Sequence, residues 1–431
     1  MLLYNVRYYS TRNKNEKVDF AAAALRGLAP DGGLYIPEEI PLFSNAVKSS
    51  LGTMNYTEIA FETIRLWVDG EIPGPVLQDI VHSAYPFLAP LVNTGDRMVL
   101  ELFHGPTAAF KDFGARFMAR AFSYLRRGED RPLKILVATS GDTGGAVADG
   151  FFGVEGITVT ILYPKGRVSP LQERQIAGLK GNISALAVEG SFDDCQRLVK
   201  EAFGDVELSR CLDLSSANSI NISRLIPQAV YYAAAAGQSP NATFSVPSGN
   251  FGNLTAALYA YKMGAPIKNF IAASNINKTV PDYLETGEYR SRPPVATLSN
   301  AMDVGAPSNF ERLIAHFSWA QMRSLILGAS VTDEQTCETI SGVFSRWMYY
   351  LDPHSAVSWR AVDMCGQIPA EKNNAIVVST AHPAKFAETV EPLTGPVPIP
   401  AVIQKAMERD VEAKTIPADL GALKECLQKG R

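Results

Sequence analysis

One lysine stands where the chain could use it as a nucleophile or base. Lys111 follows the apolar run 98–103 and precedes apolar residues that recur at near-helical spacing up to Leu125. A free lysine amine has a pKa of about 10.4, so reactive use requires a site that disfavours its charge. The positive end of a helix dipole and an apolar surrounding both do this. The pattern favours a Schiff-base lysine, with a surface lysine at a turn as the alternative.

A glycine-rich turn at residues 248–253 is a candidate site for an anion. It follows the predicted strand 243–246 and precedes a helix expected over 254–263. It has neither the lysine of a nucleotide P-loop nor the glycine spacing of a dinucleotide fold. Backbone amides from Gly249 to Asn253 could hold one phosphate monoester, because glycines permit close approach of a bulky anion. A tight strand-to-helix turn is the alternative.

A second turn, at residues 139–144, offers hydroxyl groups and backbone amides at the start of a helix. Its Ser140 and Thr143 suit the carboxylate of an amino-acid substrate. Asp142 is unusual there, because an anion in an anion site needs a separate task, such as a hydrogen bond to a phenolic or iminium group of a cofactor. The alternative role of Asp142 is the N-cap of a helix that we expect from Ala146.

A third polar segment places amide, hydroxyl and guanidinium groups within seven residues, directly before a predicted helix. It contains Asn218, Ser219 and Arg224. Arginine together with neutral donors is typical of phosphate recognition. A solvated loop of the same composition is the alternative.

The elements that must position these segments alternate as strand, glycine-rich turn and helix. Strands are predicted at residues 134–139, 157–163, 183–188, 243–246, 270–273 and 375–379. This order is typical of α/β proteins with open, mostly parallel sheets, in which ligands bind at the carboxyl ends of strands.

Three domains are expected from this order. The prediction places a smaller helical domain at residues 1–95, a smaller α/β domain with Lys111 at 96–240, and a larger α/β domain at 241–431. The larger domain would carry the 248–253 turn and Thr380.

Composition and charge limit the kinds of partner. The 431 residues carry a net charge of −4 and no run of like charges, which argues against nucleic-acid and membrane-surface partners. The start lacks a basic segment followed by an apolar one, so we expect a cytoplasmic protein. Five cysteines and five histidines at wide spacings predict neither a disulfide framework nor a metal site. We expect a small-molecule substrate and a monomer or homodimer.

Taken together, the segments resemble the pyridoxal-phosphate enzymes of the tryptophan-synthase-β type (fold type II), and among them the threonine synthases. The resemblance rests on LFHGPTAAFKDFG at 102–114, SGDTG at 140–144, PSGNFGN at 247–253, TAHPAKF at 380–386 and GLAPDGGLYIP at 27–37. These motifs span nearly the whole chain in the family's order. The implied fold has two open parallel-sheet domains and a smaller helical N-terminal domain.

The resemblance also implies roles for individual residues. Lys111 would carry pyridoxal 5'-phosphate as an imine, Thr380 would face the pyridine nitrogen, and Asp142 would border the cofactor's 3'-oxygen. The cofactor phosphate would be held by Gly249, Asn250, Phe251, Gly252 and Asn253. Substrate would be bound by Ser140 and Thr143 at its carboxylate, with Asp142 beside them, and by Asn218, Ser219 and Arg224 at its phosphate. Many family members have Asn where this chain has Asp142.

The implied reaction converts O-phospho-L-homoserine and water to L-threonine and phosphate, the last step of threonine biosynthesis. A phosphohomoserine lyase that releases 2-oxobutyrate and ammonia is one alternative. A non-catalytic protein that binds phosphate ligands is another.

Overall fold

Two open sheets and one small antiparallel sheet organise the chain. The computed structural model describes residues 6–68, 70–365 and 374–429. The strands are β1 Tyr8–Ser10, β2 Lys17–Val18, β3 Tyr35–Pro37, β4 Leu91–Asn93, β5 Met98–Glu101, β6 Leu133–Ala138, β7 Ile157–Pro164, β8 Ile183–Glu189, β9 Asp213–Ser215, β10 Ala242–Pro247, β11 Ile267–Ser274, β12 Ile326–Ser330, β13 Ala375–Ser379 and β14 Lys414–Pro417.

Helices connect and cover these strands. The α-helices are Phe20–Arg26, Asn45–Ser50, Tyr56–Val68, Gly74–Ala84, Lys111–Leu125, Asp142–Phe151, Pro170–Ala177, Phe192–Gly204, Val206–Cys211, Ile222–Leu225, Ala229–Gln238, Gly252–Met263, Thr279–Thr286, Phe310–His316, Trp319–Leu325, Asp333–Trp347, Pro353–Cys365, Ala387–Thr394, Ala401–Met407 and Leu420–Lys429. Short 3-10 helices are Ile226–Gln228, Asn300–Met302 and Pro383–Phe386. Within the described ranges, no helix combines the length and apolar character needed to cross a membrane.

The larger sheet has six strands in the order β12-β11-β10-β13-β5-β4. Its neighbours run parallel, except that β4 is antiparallel to β5. Every residue of β10 and of β13 is buried, because helices cover both faces of such a sheet. Burial on both faces explains why β13 appears in the sequence as an uninterrupted apolar run, and its observed bounds equal the predicted ones.

The second sheet has five parallel strands in the order β14-β8-β7-β6-β9. In the sequence, Ser169 followed by Pro170 predicts a helix start after β7, and the helix Pro170–Ala177 begins there. The Ser169 side chain accepts a hydrogen bond from the backbone N–H of Gln172, and the Gln172 side chain accepts one from the backbone N–H of Ser169. This capping box satisfies helix-start N–H groups that would otherwise lack partners.

The N-terminal region combines the antiparallel sheet β2-β1-β3 with packed helices. The hydroxyl of the buried Tyr8 donates a hydrogen bond to the carbonyl oxygen of Trp67 at 3.0 Å, which ties β1 to the helix Tyr56–Val68. The predicted α/β class with parallel sheets and a helical N-terminal region is confirmed.

Segments cross between the two larger sheets. The strand before Lys111, β5, pairs with β13 in the six-stranded sheet. Near the end of the chain, β14 pairs with β8 in the five-stranded sheet. The six-stranded sheet takes β4 and β5 from before residue 240, and the five-stranded sheet takes β14 from after it. The domain bounds 1–95, 96–240 and 241–431 stay a prediction.

Candidate active site

The carboxyl ends of three neighbouring parallel strands bring three of the predicted segments together. Lys111 follows β5, Thr380 follows β13, and the 248–253 turn follows β10, with β13 in the middle. The backbone N–H of Phe110 donates to the carbonyl oxygen of Thr380 at 2.9 Å. Because parallel strands end on one edge of a sheet, this edge forms the site.

Lys111 is the first residue of the helix Lys111–Leu125, and its side chain is 16% exposed. Its amine lies 3.9 Å from Oδ2 of Asp142. Burial lowers the pKa of Lys111; the Asp142 carboxylate opposes this, and the cations Lys385 and Arg224 lower the pKa further. The environment therefore disfavours the charged amine, as the sequence argument requires.

Asp142 is the first residue of its helix, and Gly141 is the N-cap, so the N-cap alternative for Asp142 is wrong. Its buried carboxylate accepts hydrogen bonds at Oδ1 from Nζ of Lys385 at 2.9 Å and from Nε2 of Gln172 at 3.1 Å. Burial opposes ionisation, but Lys385 and Lys111 outweigh it and hold the pKa of Asp142 well below its usual range. Asp142 is thus an anion bonded to Lys385, a cation that was not among the predicted site residues.

The hydroxyl-bearing turn lies at the carboxyl end of β6. Ser140 and Thr143 are both partly exposed there, beside the buried Asp142. The hydroxyl of Thr139 accepts hydrogen bonds from the backbone N–H groups of Gly141 at 3.0 Å and Gly144 at 2.9 Å, which fixes the turn from below. Ser140 and Thr143 are left at the start of the helix Asp142–Phe151, where an anion is favoured.

The turn after β10 has the shape of an anion cradle. Phe251 has a φ of 59° and caps the helix Gly252–Met263, which begins two residues earlier than predicted. A Cβ at Gly249 would lie 2.7 Å from the carbonyl oxygen of Ala301, so only glycine fits there. The first N–H groups of a helix lack helical acceptors. Glycine, turn and helix start together suit the phosphate of a bound cofactor.

Two asparagine side chains of this turn bond to neighbouring elements. Oδ1 of Asn253 accepts hydrogen bonds from the hydroxyls of Tyr231 at 2.6 Å and Tyr232 at 2.9 Å, while its buried Nδ2 has no partner among the described residues. Oδ1 of Asn250 accepts from the backbone N–H of Ser308 at 3.3 Å. The side chains fix the turn, which leaves its backbone to face a ligand.

The third segment lies between the two larger sheets. Nδ2 of Asn218 donates to the carbonyl oxygen of Ala138 at the end of β6, at 2.8 Å. Arg224 is buried, donates to the carbonyl oxygen of Ala217, and keeps a buried Nε without a partner among the described residues. Burial lowers the pKa of Arg224 to about 10. A guanidinium in this state is a strong candidate to bind an anion.

Asn309 and Arg312 hold the 218–224 segment beside the 248–253 turn. Nδ2 of Asn309 donates to the carbonyl oxygen of Ser219 at 3.3 Å. The backbone N–H of Asn309 donates to the carbonyl oxygen of Asn250 at 3.2 Å. The fully buried Arg312 donates to the carbonyl oxygens of Ile220 at 2.6 Å and Tyr35 at 3.1 Å. Asn309 therefore links the 218–224 segment to the 248–253 turn, and each of these candidate anion sites helps to position the other.

Comparisons with known proteins cover nearly the whole chain. The family described as "Threonine synthase N terminus" matches residues 7–85, "Pyridoxal-phosphate dependent enzyme" matches 91–380, and "Threonine synthase, C-terminal" matches 355–427. The threonine synthase of Escherichia coli (strain K12) is 42% identical over 430 residues, covering 98% of this chain and 99% of that protein. The chain belongs to the threonine synthase family.

Solved structures of the threonine synthase family share the fold. The crystal structure of the Escherichia coli threonine synthase has a TM-score of 0.91 at 41% identity, covering 99% of this chain and all of that one. A PLP-bound threonine synthase from Brucella melitensis has a TM-score of 0.92 at 37% identity, covering 98% and 99%. The predicted fold type, pyridoxal-phosphate dependence and enzyme class are confirmed, and neither alternative function is supported.

Three residues that contact the predicted threonine synthase site were missing from the predicted set. Lys385 lies inside the TAHPAKF motif, which was quoted only for the resemblance. Its amine donates to the carbonyl oxygen of Thr107 at 2.8 Å as well as to Asp142. Asn309 and Arg312 carry no local signal, because the partners of Arg312 are up to 277 residues away in sequence.

Proposed function

We propose that this member of the threonine synthase family converts O-phospho-L-homoserine and water to L-threonine and phosphate. The observation that carries the substrate proposal is the second anion segment, Asn218 to Arg224, which lies beside the lysine site and contains a buried, partly unpaired arginine. A lyase that acts on an unphosphorylated hydroxyamino acid has no need for such a cation, whereas a phosphate leaving group does.

The residues present fit pyridoxal 5'-phosphate. Lys111 would bind its carbonyl carbon, Gly249, Asn250, Phe251, Gly252 and Asn253 would hold its phosphate, and Thr380 would face its ring nitrogen. When bound, the group supplies an electron sink that stabilises negative charge on substrate carbons. A neutral hydroxyl at Thr380 leaves the ring nitrogen unprotonated, which favours elimination over transamination. The tight fit of Gly249 against Ala301 supports this placement.

Lys111 would move the protons. Its Nζ takes the proton from the substrate's α-carbon and then one from the β-carbon. Only a neutral amine can accept a proton, and burial lowers the pKa of Lys111 towards that form. The same amine lies at the start of its helix, and Arg224 of the proposed phosphate site is close enough to lower its pKa further.

Binding of the substrate would use two separate anion sites. Ser140, Thr143 and the helix start beside them would hold the carboxylate. Asp142 already bonds to Lys385, so it would border the cofactor's 3'-oxygen instead of binding substrate. Asn218, Ser219 and Arg224 would hold the phosphate until the Cγ–O bond breaks. Their donors are worth more at a buried site than in water.

We also propose the domain bounds 1–95, 96–240 and 241–431, a cytoplasmic location, and a monomer or homodimer. The small net charge of −4 supports a protein without a nucleic-acid or membrane partner.

Product analysis tests the proposed reaction. Purified protein with bound pyridoxal 5'-phosphate is incubated with O-phospho-L-homoserine, and threonine, 2-oxobutyrate and phosphate are measured in the same sample. We expect threonine and phosphate in equal amounts. Mainly 2-oxobutyrate and ammonia would instead establish the lyase alternative, and no phosphate release would establish a binding protein.

A further inference from the structure

Two lysines, Lys385 fully buried and Lys111 partly exposed, lie beside one buried carboxylate at the centre of the site. The side chain of Lys385 is 0% exposed, and its amine lies 2.9 Å from Oδ1 of Asp142. The Lys111 amine lies 3.9 Å from Oδ2 of the same carboxylate, which is too far for a hydrogen bond. Asp142 is therefore bonded to Lys385 and only near Lys111.

Lys385 cannot follow Asp142 if the carboxylate moves. Its amine also donates to the carbonyl oxygen of Thr107 at 2.8 Å. Thr107 is fixed in turn, because its backbone N–H and its hydroxyl both donate to the Asp112 carboxylate, at 2.9 and 2.6 Å. The amine of Lys385 is anchored from the loop that precedes Lys111.

Other charged groups face these two amines from the surrounding elements. Arg224 and Asp352 act on Lys111 in addition to Asp142 and Lys385. The charge of Lys385 acts to lower the pKa of Asp112 and of His382. Asp142 accepts a hydrogen bond from Lys385 at 2.9 Å, so the two residues form one local pair of opposite charges.

We propose that Lys385 is a positioning residue that keeps the Asp142 carboxylate away from Lys111 and so leaves the Lys111 amine free to react. The inference rests on the proposed role of Lys111 as the reactive lysine. The Asp142–Lys385 pair has no net charge, while a lone aspartate would add a negative charge beside the reactive amine.

The physical consequence follows from removing Lys385. Oδ1 of Asp142 would lose its nearest cation, and a buried carboxylate without a partner is strongly disfavoured. Closing the remaining distance to Lys111 would restore a partner. A direct ion pair favours the charged amine, so the pKa of Lys111 would rise and its neutral fraction at neutral pH would fall.

The test measures Lys111 itself. The full-length chain, freed of cofactor, is labelled with trace acetic anhydride across a pH series, and the pH midpoint of Lys111 modification is read by mass spectrometry. Variants are Lys385→Met, Asp142→Asn with Lys385→Met, and Lys134→Met. Lys134 is the matched control, because it is buried and donates to the carbonyl oxygen of Leu427 at 2.9 Å, at the opposite end of β6 from Asp142.

In Lys385→Met the Lys111 midpoint should rise by about one pH unit or more, while Lys134→Met leaves it unchanged. The double variant should return most of the way to the parent value, because the lone carboxylate is gone. In the holoenzyme, where substrate binding frees the Lys111 amine, the acid limb of the kcat profile of Lys385→Met should move upwards in parallel. If Lys385→Met does not fold, Lys385→Gln, which removes the charge but keeps a donor, should show a smaller rise in the same direction.

A folded Lys385 variant with the parent midpoint would overturn the proposal, as would a double variant with a midpoint as high as that of Lys385→Met. This readout needs no substrate. Formation of 2-oxobutyrate by the parent enzyme would therefore contradict the proposed function and leave the role of Lys385 standing. If the pH midpoint of Lys111 modification instead equalled that of an exposed lysine, the proposed role of Lys111 would be contradicted.

Discussion

The backbone N–H of Phe110 donates a hydrogen bond to the carbonyl oxygen of Thr380 at 2.9 Å. A second bond runs the other way, from the backbone N–H of His382 to the carbonyl oxygen of Ala108 at 3.0 Å. These bonds fasten the loop before Lys111 to the loop after β13. The proposed imine-forming lysine and the proposed partner of the ring nitrogen are therefore held at a fixed separation by the backbone.

Replacement of Lys111 by Ala should abolish turnover. We expect kcat to fall by at least about 10³-fold, because a positioned general base alone contributes 10²–10⁴-fold. The visible absorbance of the lysine-bound cofactor should also be lost, while the melting temperature stays close to that of the parent. Lys405→Ala, at an exposed helical position, is the control. Retention of both colour and turnover in Lys111→Ala would refute the assignment.

Gly249→Ala should weaken cofactor binding. The added Cβ would meet backbone atoms of Ala301 and Met302 at 2.7 and 2.9 Å, and backbone cannot rotate away. Overpacking of this kind costs about 1–3 kcal/mol, so the Kd for pyridoxal 5'-phosphate should rise by about tenfold or more. Spectroscopic titration of the cofactor-free chain measures it.

Gly342→Ala is the matched control for Gly249→Ala. Gly342 lies in the helix Asp333–Trp347, and a Cβ there would meet nothing within 4 Å. This change should leave the Kd unaltered and stabilise the helix by about 0.5–1 kcal/mol. Equal Kd values in the two variants would show that the Gly249 turn does not hold the cofactor.

Arg224→Gln should impair the use of a phosphorylated substrate. It removes a buried cation, and loss of one partner of a buried charge pair costs about 2–5 kcal/mol, so kcat/KM should fall by about 30-fold or more. Inhibition by inorganic phosphate should weaken in parallel, which links the loss to the anion. The control is Arg126→Gln, because Arg126 bonds to Asp213 at 2.9 Å beyond the far end of the helix that Lys111 begins. Similar losses in both variants would contradict a phosphate site at Arg224.

Acid should destabilise the fold through His316. Burial, with the cations Lys262 and Arg312, lowers the pKa of His316 to about 4, and its Nε2 lies 3.1 Å from the hydroxyl of Tyr259. Above pH 6.5 the imidazole is neutral in both the folded and the unfolded chain. As the pH falls towards 4, only the unfolded chain gains the proton, so the free energy of unfolding should drop by roughly 1–3 kcal/mol.

Urea unfolding at pH 7 and pH 4.5 measures this loss. His316→Gln keeps a hydrogen-bonding group near Tyr259 and should lose less stability over that interval than the parent. His82→Gln, at an exposed position, is the control and should lose as much as the parent. An acid sensitivity of His316→Gln equal to that of His82→Gln would contradict the assignment.

Local pattern predicted the elements that are apolar throughout or capped by typical residues. The strand Ala375–Ser379 and the helix start at Ser169 are examples, because burial on both faces and a capping box leave direct marks in the sequence. The helix after β6 starts at Asp142, four residues before the predicted Ala146. Its first turn is polar and glycine-rich, so its apolar periodicity begins only one turn later.

Residues that act through distant contacts could not be predicted in this way. Lys385 bonds to a carbonyl 278 residues earlier in the chain, and Arg312 to one 92 residues earlier. A lysine or arginine in a mixed segment is usually exposed, and only the assembled fold shows that these two are buried. The residues expected to bind cofactor and substrate could thus be predicted from the sequence, but the residues that hold them in place could not.

The pairing of β14 with β8 has a consequence for synthesis of the protein. Strands β6 to β9 emerge from the ribosome about 200 residues before β14, since residues 414–417 follow residue 215 by that distance. Until then one edge of the nascent parallel sheet has unpaired backbone groups, which are a template for aggregation. Completion of this sheet must wait until β14 has been translated, so termination before residue 414 yields a product with an open edge.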